Sequence, residues 1–237
     1  MKKMKTLLKV QNLCYKYPDN HEALKNVNFE INQGEKIALV GANGSGKSTL
    51  LLILAGAMEQ TEGKIFFNDT ENSELRRKKT GLIFQDADDQ ILMPSVIEDA
   101  AFSPVADGMN VNEAHNLAMK ILKSLGIEHL ADRVPHKLSG GEKRMVTFAG
   151  TLASSPELLL LDEPTNSLDP SGRWKVIKFL KDTQKAVLLA THDLDMAREV
   201  CSSALIMSHG EISAYGKLPE LFDDEKLLAR NNLAAFD

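Results

Sequence analysis

Residues 41–49 read Gly41-Ala42-Asn43-Gly44-Ser45-Gly46-Lys47-Ser48-Thr49. The apolar run Ile37-Ala38-Leu39-Val40 precedes them, and Leu50-Leu51-Leu52-Ile53-Leu54-Ala55 follows. Strand, glycine-rich loop, helix is the setting that a phosphate-binding loop requires, and it points to an α/β fold. Gly41, Gly44 and Gly46 lack a Cβ, so the backbone can curl and bring its N–H groups onto a polyphosphate. A helix starting near Lys47 turns the positive end of its dipole toward the same anion. Lys47 reaches the β- and γ-phosphates, the Ser48 hydroxyl is a ligand for Mg²⁺, and Thr49 lies near the α-phosphate. The plain alternative is a flexible glycine loop that matches by chance, and the strand and helix on either side argue against it. What the phosphate is used for must be read from other parts of the chain.

The 237 residues suffice for one large domain or for a domain carrying an inserted lobe. Apolar residues make up 43%, which favours a packed core over disorder. A net charge of −5 offers no basic field to nucleic acid, so no nucleic-acid partner is expected. Cys14 and Cys201 lie far apart without ligand-type spacing and read as reduced, partly buried thiols. No run approaches the roughly 20 apolar residues of a bilayer-spanning helix. The basic opening Met1-Lys2-Lys3-Met4-Lys5 lacks the apolar stretch of a signal peptide. A chain of this kind is expected in the cytoplasm, serving any membrane process through a partner.

Residues 6–17 and 24–31 alternate, and 63–68 reads as an edge strand, so a small antiparallel sheet is expected against a parallel one. The charged stretch 71–79 should be solvated. Gly81-Leu82-Ile83-Phe84-Gln85 is a short strand ending in a polar residue. Helical spacing dominates 95–136, an inserted lobe bounded by Pro94 and Pro135. Ser139-Gly140-Gly141 precedes a helical stretch over 142–154. That is a second helix amino terminus with bare backbone donors, hence a second anion site. Leu158–Leu161 and Ala186–Ala190 are continuous apolar runs, as for parallel strands covered on both faces. Tyr17, at the end of the first alternating stretch and 24 residues before Gly41, either offers its ring to an adenine or packs on the core as a strand tyrosine. The tail from Leu218 is charged and helical.

Four polar residues close apolar strands: Gln85, Asp162, Glu163 and His192. Strand carboxyl ends in an open α/β sheet share an edge with the phosphate loop, so these groups should converge on the γ-phosphate and Mg²⁺. Asp162 is expected to hold Mg²⁺ at one remove, and Glu163 to orient or deprotonate an attacking water. His192 can hydrogen-bond the γ-phosphate, and Gln85 can contact the metal or the water. Each alone is ordinarily a satisfied polar group or a solvated turn. Four together, in a chain with a phosphate loop, argue for a site.

The order of phosphate loop, Gln85, Leu138-Ser139-Gly140-Gly141-Glu142, apolar run with Asp162-Glu163, Ser167-Leu168-Asp169 and His192 resembles the nucleotide-binding subunit of ABC transporters. The similarity covers about residues 6–216. Within that superfamily, the stretches Phe84–Ile91 and Glu98–Pro104, with Ala149-Gly150, look like the energy-coupling-factor ATPases, and most like the cobalt/nickel type. The resemblance implies the P-loop NTPase fold of an ABC ATPase, with a mostly parallel sheet, an antiparallel β subdomain and an inserted helical subdomain. It implies one ABC domain over 1–237: a core over about 6–94 and 137–216, a helical subdomain over about 95–136, and a helical tail over 217–237.

The same resemblance implies roles. Tyr17 would stack on adenine, and the loop residues Gly41, Asn43, Gly44, Ser45, Gly46, Lys47, Ser48 and Thr49 would hold the phosphates. Ser139, Gly140 and Gly141 would bind the γ-phosphate held by another subunit, and Asp169 would bridge the two subunits. Glu163, His192 and Gln85 would act in catalysis, with Ser48, Gln85 and Asp162 at the metal. ATP and Mg²⁺ are the implied cofactors. The implied partners are a second ATP-binding subunit, identical or a paralogue, a transmembrane coupling subunit and a substrate-binding membrane component. The implied place is the cytoplasmic face of the membrane. Glu142 stands where glutamine is common, and the tail is shorter than in many vitamin-type relatives. Ile91-Leu92-Met93 is either a docking surface for a membrane partner or a covered core segment. Another ABC importer ATPase, of vitamin type, and a soluble ABC-type ATPase are the alternatives. The latter usually has two nucleotide domains or a coiled-coil insert, and this chain has neither.

Overall fold

The computed structural model describes residues 5–166 and 168–233. Two compact units emerge, Met1–Thr80 with Glu157–Asp162 and Gln184–Asp237, and Gly81–Pro156 with Glu163–Thr183.

In the first unit, β1 (Thr6–Lys16) pairs antiparallel with β2 (Glu22–Asn32) on one side and β4 (Glu62–Phe67) on the other. Leu8, Val10 and Leu13 face Ile31, Phe29 and Val27 across the ladder, and all six are buried. Between them, Lys9 pairs with Glu30 at 2.8 Å on the wetter face. This is the period-two alternation of a half-covered sheet. The register slips near Asn12 and Asn26, which take φ of 48° and 47°. Asparagine tolerates that left-handed region better than a branched residue.

The second sheet of this unit runs in the order β6-β7-β3-β8-β9. Its strands are β3 (Lys36–Val40), β6 (Leu158–Asp162), β7 (Ala186–Ala190), β8 (Ser203–Ser208) and β9 (Glu211–Lys217). Ladders among the first four are parallel, and β9 returns antiparallel on β8. Ile37–Val40, Leu158–Leu161, Ala186–Ala190 and Ala204–Met207 are buried along their whole length, which is why they read as unbroken apolar runs. The edge strand β9 alternates between half-exposed and exposed positions. Helix α1 (Lys47–Leu54) leaves β3 through the glycine loop, and α7 (Leu194–Val200) lies between β7 and β8. The tail forms α8 (Leu218–Phe222) and α9 (Glu225–Arg230).

The charged stretch 71–79 departs from expectation. It forms α2 (Ser73–Lys79), capped by Asn72, and Arg76 on it is only 5% exposed. Its guanidinium donates to the Ile53 carbonyl at 2.5 Å and the Leu54 carbonyl at 3.2 Å. The last carbonyls of a helix have no partner within it, and a cation there also meets the negative end of the dipole. Arg76 is therefore the C-terminal lock of α1, not a solvated charge.

The strand β5 (Thr80–Ile83) leads into the second unit and stops before Phe84 and Gln85, both exposed. Helices α3 (Val96–Ala106), α4 (Val111–Ser124), α5 (Gly140–Ala153) and α6 (Pro170–Asp182) follow. Each starts on a capping side chain: Ser95, Asn110, Ser139 and Asp169. In α4 the buried face is Ala114, Ala118 and Leu122, a four-residue stride, and Gly126 ends the turn at φ 71°. Phe148 of α5 meets Phe179 of α6 with ring centroids 4.9 Å apart.

Candidate nucleotide site

The loop between β3 and α1 is shaped by close approach. A Cβ on Gly41 would run into the Met207 carbonyl, and one on Gly46 would lie 2.7 Å from the Ala23 carbonyl. Gly44 and Gly46 take φ of 78° and 105°, which glycine adopts without strain. The Lys47 ammonium lies in the curl, donating to the carbonyls of Gly41 at 2.7 Å and Ala42 at 3.2 Å. Ser45 is 5% exposed, and its buried Oγ has no hydrogen-bond partner. A buried hydroxyl left unsatisfied costs free energy, so such a group marks a place where a ligand oxygen is wanted. Asn43 and Ser48 face solvent, and Thr49 is buried. Tyr17 reaches the start of α1, its hydroxyl 2.9 Å from Thr49 Oγ1. Its ring meets Tyr15 edge-on at 4.9 Å and lies parallel to His21 at 6.2 Å.

Ladder register brings the strand-end residues of this unit to one edge. Leu39 pairs with Ala190, and Ala190 with Asp162. Gly41 and His192 each stand two residues beyond that rung, so loop, Asp162 and His192 leave the sheet together. Thr191, fully buried, donates its N–H to the Leu39 carbonyl at 3.2 Å, and its Oγ1 accepts from Asp193 N at 3.0 Å. Those bonds set the backbone on which the exposed His192 is carried.

The remaining candidates belong to the second unit. Glu163 directly follows Asp162 and takes φ of 45°, a left-handed conformation uncommon for a non-glycine residue. Ser139 caps α5 within a closed box. Glu142 Oε2 accepts from Ser139 N and from Ser139 Oγ, each at 2.8 Å, and Ser139 Oγ accepts from Glu142 N at 3.4 Å. This helix start is thus not bare throughout, because the box engages the Ser139 and Glu142 N–H groups and leaves out those of Gly140 and Gly141. The Ser139 N–H first, and its hydroxyl second, hold the Glu142 carboxyl below its ordinary value of 4.5. Asp169 caps α6 through Gly172 N at 2.8 Å, and the Cα of Gly172 lies 3.3 Å from where a Cβ on Gly141 would stand. Gly141 is therefore glycine for helix packing as well as for any ligand. Ser167 lies outside the described residues, as do the ends of the basic opening and of the tail.

The sequence profile of the family described as ABC transporter matches residues 24–166. This chain belongs to the ABC transporter family. The energy-coupling factor transporter ATP-binding protein EcfA of Methanosphaera stadtmanae is 37% identical over 239 residues, covering 97% of this chain and 86% of that one. The solved structure of cbiO1 from Clostridium perfringens, part of the ABC transporter complex cbiONQ, superposes with a TM-score of 0.84 at 35% identity, covering 97% and 95% of the two chains. A dimeric ATP-binding cassette in a post-hydrolysis state, bound to ADP and Pi, gives 0.78 at 31% identity, covering 90% and 99%. As an ABC ATPase, the chain couples ATP hydrolysis to transport.

The loop of this ABC ATPase fits a polyphosphate on its own geometry: an orphaned Ser45 hydroxyl, an ammonium in the curl and glycines where no Cβ fits. For Mg²⁺, Ser48, Gln85 and Asp162 are oxygen donors, as a hard cation requires. Among the described residues no group of three or more His, Cys, Asp or Glu gathers in a metal-holding cluster. No helix among the described residues is long and apolar enough to cross a membrane. What the sequence left unsaid of Glu142 is its capping role, legible in its place three residues after Ser139. Arg144, four residues before the buried Phe148, was not singled out, being a cation inside an apolar stripe.

Proposed function

We propose that this chain is the ATP-hydrolysing subunit of an energy-coupling-factor importer for cobalt or nickel ions, working as a dimer that closes on two ATP. The observation that carries the reading is the division of labour in the chain. The phosphate loop, with its unpartnered Ser45 hydroxyl, belongs to one unit, and the Ser139 helix start belongs to the other. Two copies arranged head to tail would each supply half of both pockets. The likeness to EcfA supports the energy-coupling-factor type, and cbiO1 is part of an ABC transporter complex. The cobalt or nickel cargo rests on the resemblance carried by Phe84–Ile91 and Glu98–Pro104.

In this cycle Tyr17 stacks on adenine, while Lys47 and the loop N–H groups bind the β- and γ-phosphates. Ser48, Gln85 and Asp162 would hold Mg²⁺, which would neutralise charge gathering on the transferred phosphoryl group. Gln85 orients the attacking water, and Glu163 takes its proton as the oxygen bonds to the γ-phosphorus and ADP departs. His192 hydrogen-bonds the γ-phosphate and registers its loss. Ser139, Gly140 and Gly141 of the second copy grip the same γ-phosphate, and Asp169 bridges the copies. Once the phosphate leaves, that link is gone and the dimer loosens. Placed at the cytoplasmic face of the membrane, the motion drives a transmembrane coupling subunit, and a separate membrane component chooses the cargo.

Glu163→Gln should arrest hydrolysis and shift the chain from monomer to dimer on adding MgATP, read by light scattering. Adding Ser139→Arg should return it to monomer. A Glu163→Gln chain that stays monomeric at saturating MgATP would refute the shared-ATP dimer. Cargo is tested by uptake of labelled Co²⁺ or Ni²⁺ in cells carrying the chain and the membrane proteins that co-purify with it. Uptake of a vitamin alone would move the assignment to the vitamin type.

A further inference from the structure

Tyr17 and His21 close the hairpin between β1 and β2. The last pair within the strands is Lys16 with Glu22, and one step further out Tyr17 N donates to the His21 carbonyl at 2.9 Å. Pro18-Asp19-Asn20 turns the chain between them. Asn20 N donates back to the Tyr17 carbonyl at 2.9 Å, and His21 N donates to Asp19 Oδ1 at 3.0 Å. Asn20 takes φ of 70°. Proline early in such a loop and asparagine in the left-handed region suit a three-residue hairpin connection. Residues opposed across an antiparallel pair turn their side chains to the same face. The loop therefore sets the His21 ring beside the Tyr17 ring, with centroids 6.2 Å apart and planes 21° from parallel.

The Tyr17 ring is held from several sides. Tyr15, two residues back and so on the same face, meets it edge-on at 4.9 Å with planes at 86°. The Tyr17 hydroxyl lies 2.9 Å from Thr49 Oγ1 at the start of α1. His21 adds the parallel neighbour. It is exposed, so its ring is not there to fill the core. An exposed imidazole along another ring contributes little to folding, but it restricts how that ring can turn. A side chain already held in its binding orientation loses less entropy when a ligand stacks on it.

We infer that His21 is a positioning residue for the nucleobase, holding the Tyr17 ring in the orientation on which adenine stacks. The inference rests on the adenine-stacking reading of Tyr17 above. His21 acts through Tyr17 and takes no part in the grip of Gly41–Thr49 on the phosphates. Base affinity and phosphate affinity are then set by different residues, and His21 belongs to the first group.

His21→Ala and His21→Phe in the full chain test this. Both keep the backbone bonds of the turn, and a melting curve checks the fold. In His21→Ala the KM for ATP should rise about three- to tenfold, the range for losing one aromatic neighbour and the order that it imposed. kcat should stay within about twofold, because ground state and transition state lose the same contact. The affinity for ADP, read by calorimetry, should fall in the same ratio as KM rises. Inhibition by tripolyphosphate, which has no base, should not change. His21→Phe restores a ring and should restore the KM. In a Tyr17→Ala background, His21→Ala should add nothing, since its effect passes through the missing ring. A parental KM in His21→Ala would overturn the inference, and so would a KM that His21→Phe fails to restore. Tripolyphosphate weakened in step with ADP would also overturn it, since that marks a general disturbance of the phosphate loop. If Tyr17→Ala itself leaves the KM unchanged, the adenine-stacking reading falls and takes this role with it. A raised KM in Tyr17→Ala beside a parental His21→Ala removes the role of His21 alone.

Discussion

Gly46 stands at φ 105° with the Ala23 carbonyl 2.7 Å from where a Cβ would go. Gly46→Ala must strain the backbone or push two segments apart, at a cost of about 1–3 kcal/mol. Thermal unfolding should show the loss, and ATP affinity should fall with it because the N–H groups of the curl are re-aimed. An alanine variant that melts and binds like the parent would contradict that account. The two thiols make a contrast at the same scale. Burial pushes Cys201 up to about 12, with Lys36 pulling weakly the other way, while Cys14 is part-exposed. Since the thiolate is the nucleophile, iodoacetamide at neutral pH should label Cys14 in the folded chain and spare Cys201. Equal labelling before unfolding would be inconsistent with this burial.

Helix ends carry much of the specification at the next scale. Arg76 closes the end of α1 through the Leu54 carbonyl and through the Ile53 carbonyl, which also accepts from Gly56 N at 3.0 Å. Arg76→Met leaves them buried and should cost about 1.5–3 kcal/mol, the range for hydrogen bonds to a charged group, visible as a lowered denaturant midpoint. At the start of α5, Ser139 holds the Glu142 carboxyl below its ordinary 4.5. A depressed folded-state pKa means that the unfolded chain binds the proton first. The cap therefore contributes fully above the unfolded value, and the contribution is lost as pH falls through the lower folded value. Glu142→Gln removes that dependence. The gap in melting temperature between parent and variant should shrink as pH drops from about 7 toward about 3. A gap that widens on acidification would contradict a lowered Glu142 pKa in the folded chain.

Over the whole molecule, function depends on a surface facing something that the chain does not contain. Leu92 is 68% exposed although its N–H is pinned to Asp99, and Ile91 and Met93 beside it are half-buried. Leu92 is therefore no covered core residue, and a held backbone presenting an apolar side chain suits docking of a membrane partner's helix. Leu92→Asp should leave folding stability within about 0.5 kcal/mol of the parent, as surface changes usually do, and ATP binding unchanged. Uptake by the assembled transporter should be lost. Normal uptake in that variant would remove the docking role. The phosphate loop and the parallel strands were legible along the chain, because a strand buried on both faces leaves an unbroken apolar run and a phosphate curl needs glycines at set spacing. Arg76 and Arg144 were not. Each is an arginine beside another cation, Arg77 or Lys143, and the carbonyls that justify its burial come from residues 53–54 and 84–85.

The order of residues alone was enough for the α/β class, the phosphate curl, the helix start at Ser139 and the polar residues closing strands, since each depends on neighbours within a turn or a strand. Which strands lie side by side, and hence that Asp162, Ala190 and Leu39 share a rung, was decided only when the sheet assembled. The same holds for every bond that a buried cation makes to a distant carbonyl. Local preference is written in spacing, whereas satisfying a buried polar group requires partners that only folding brings within reach.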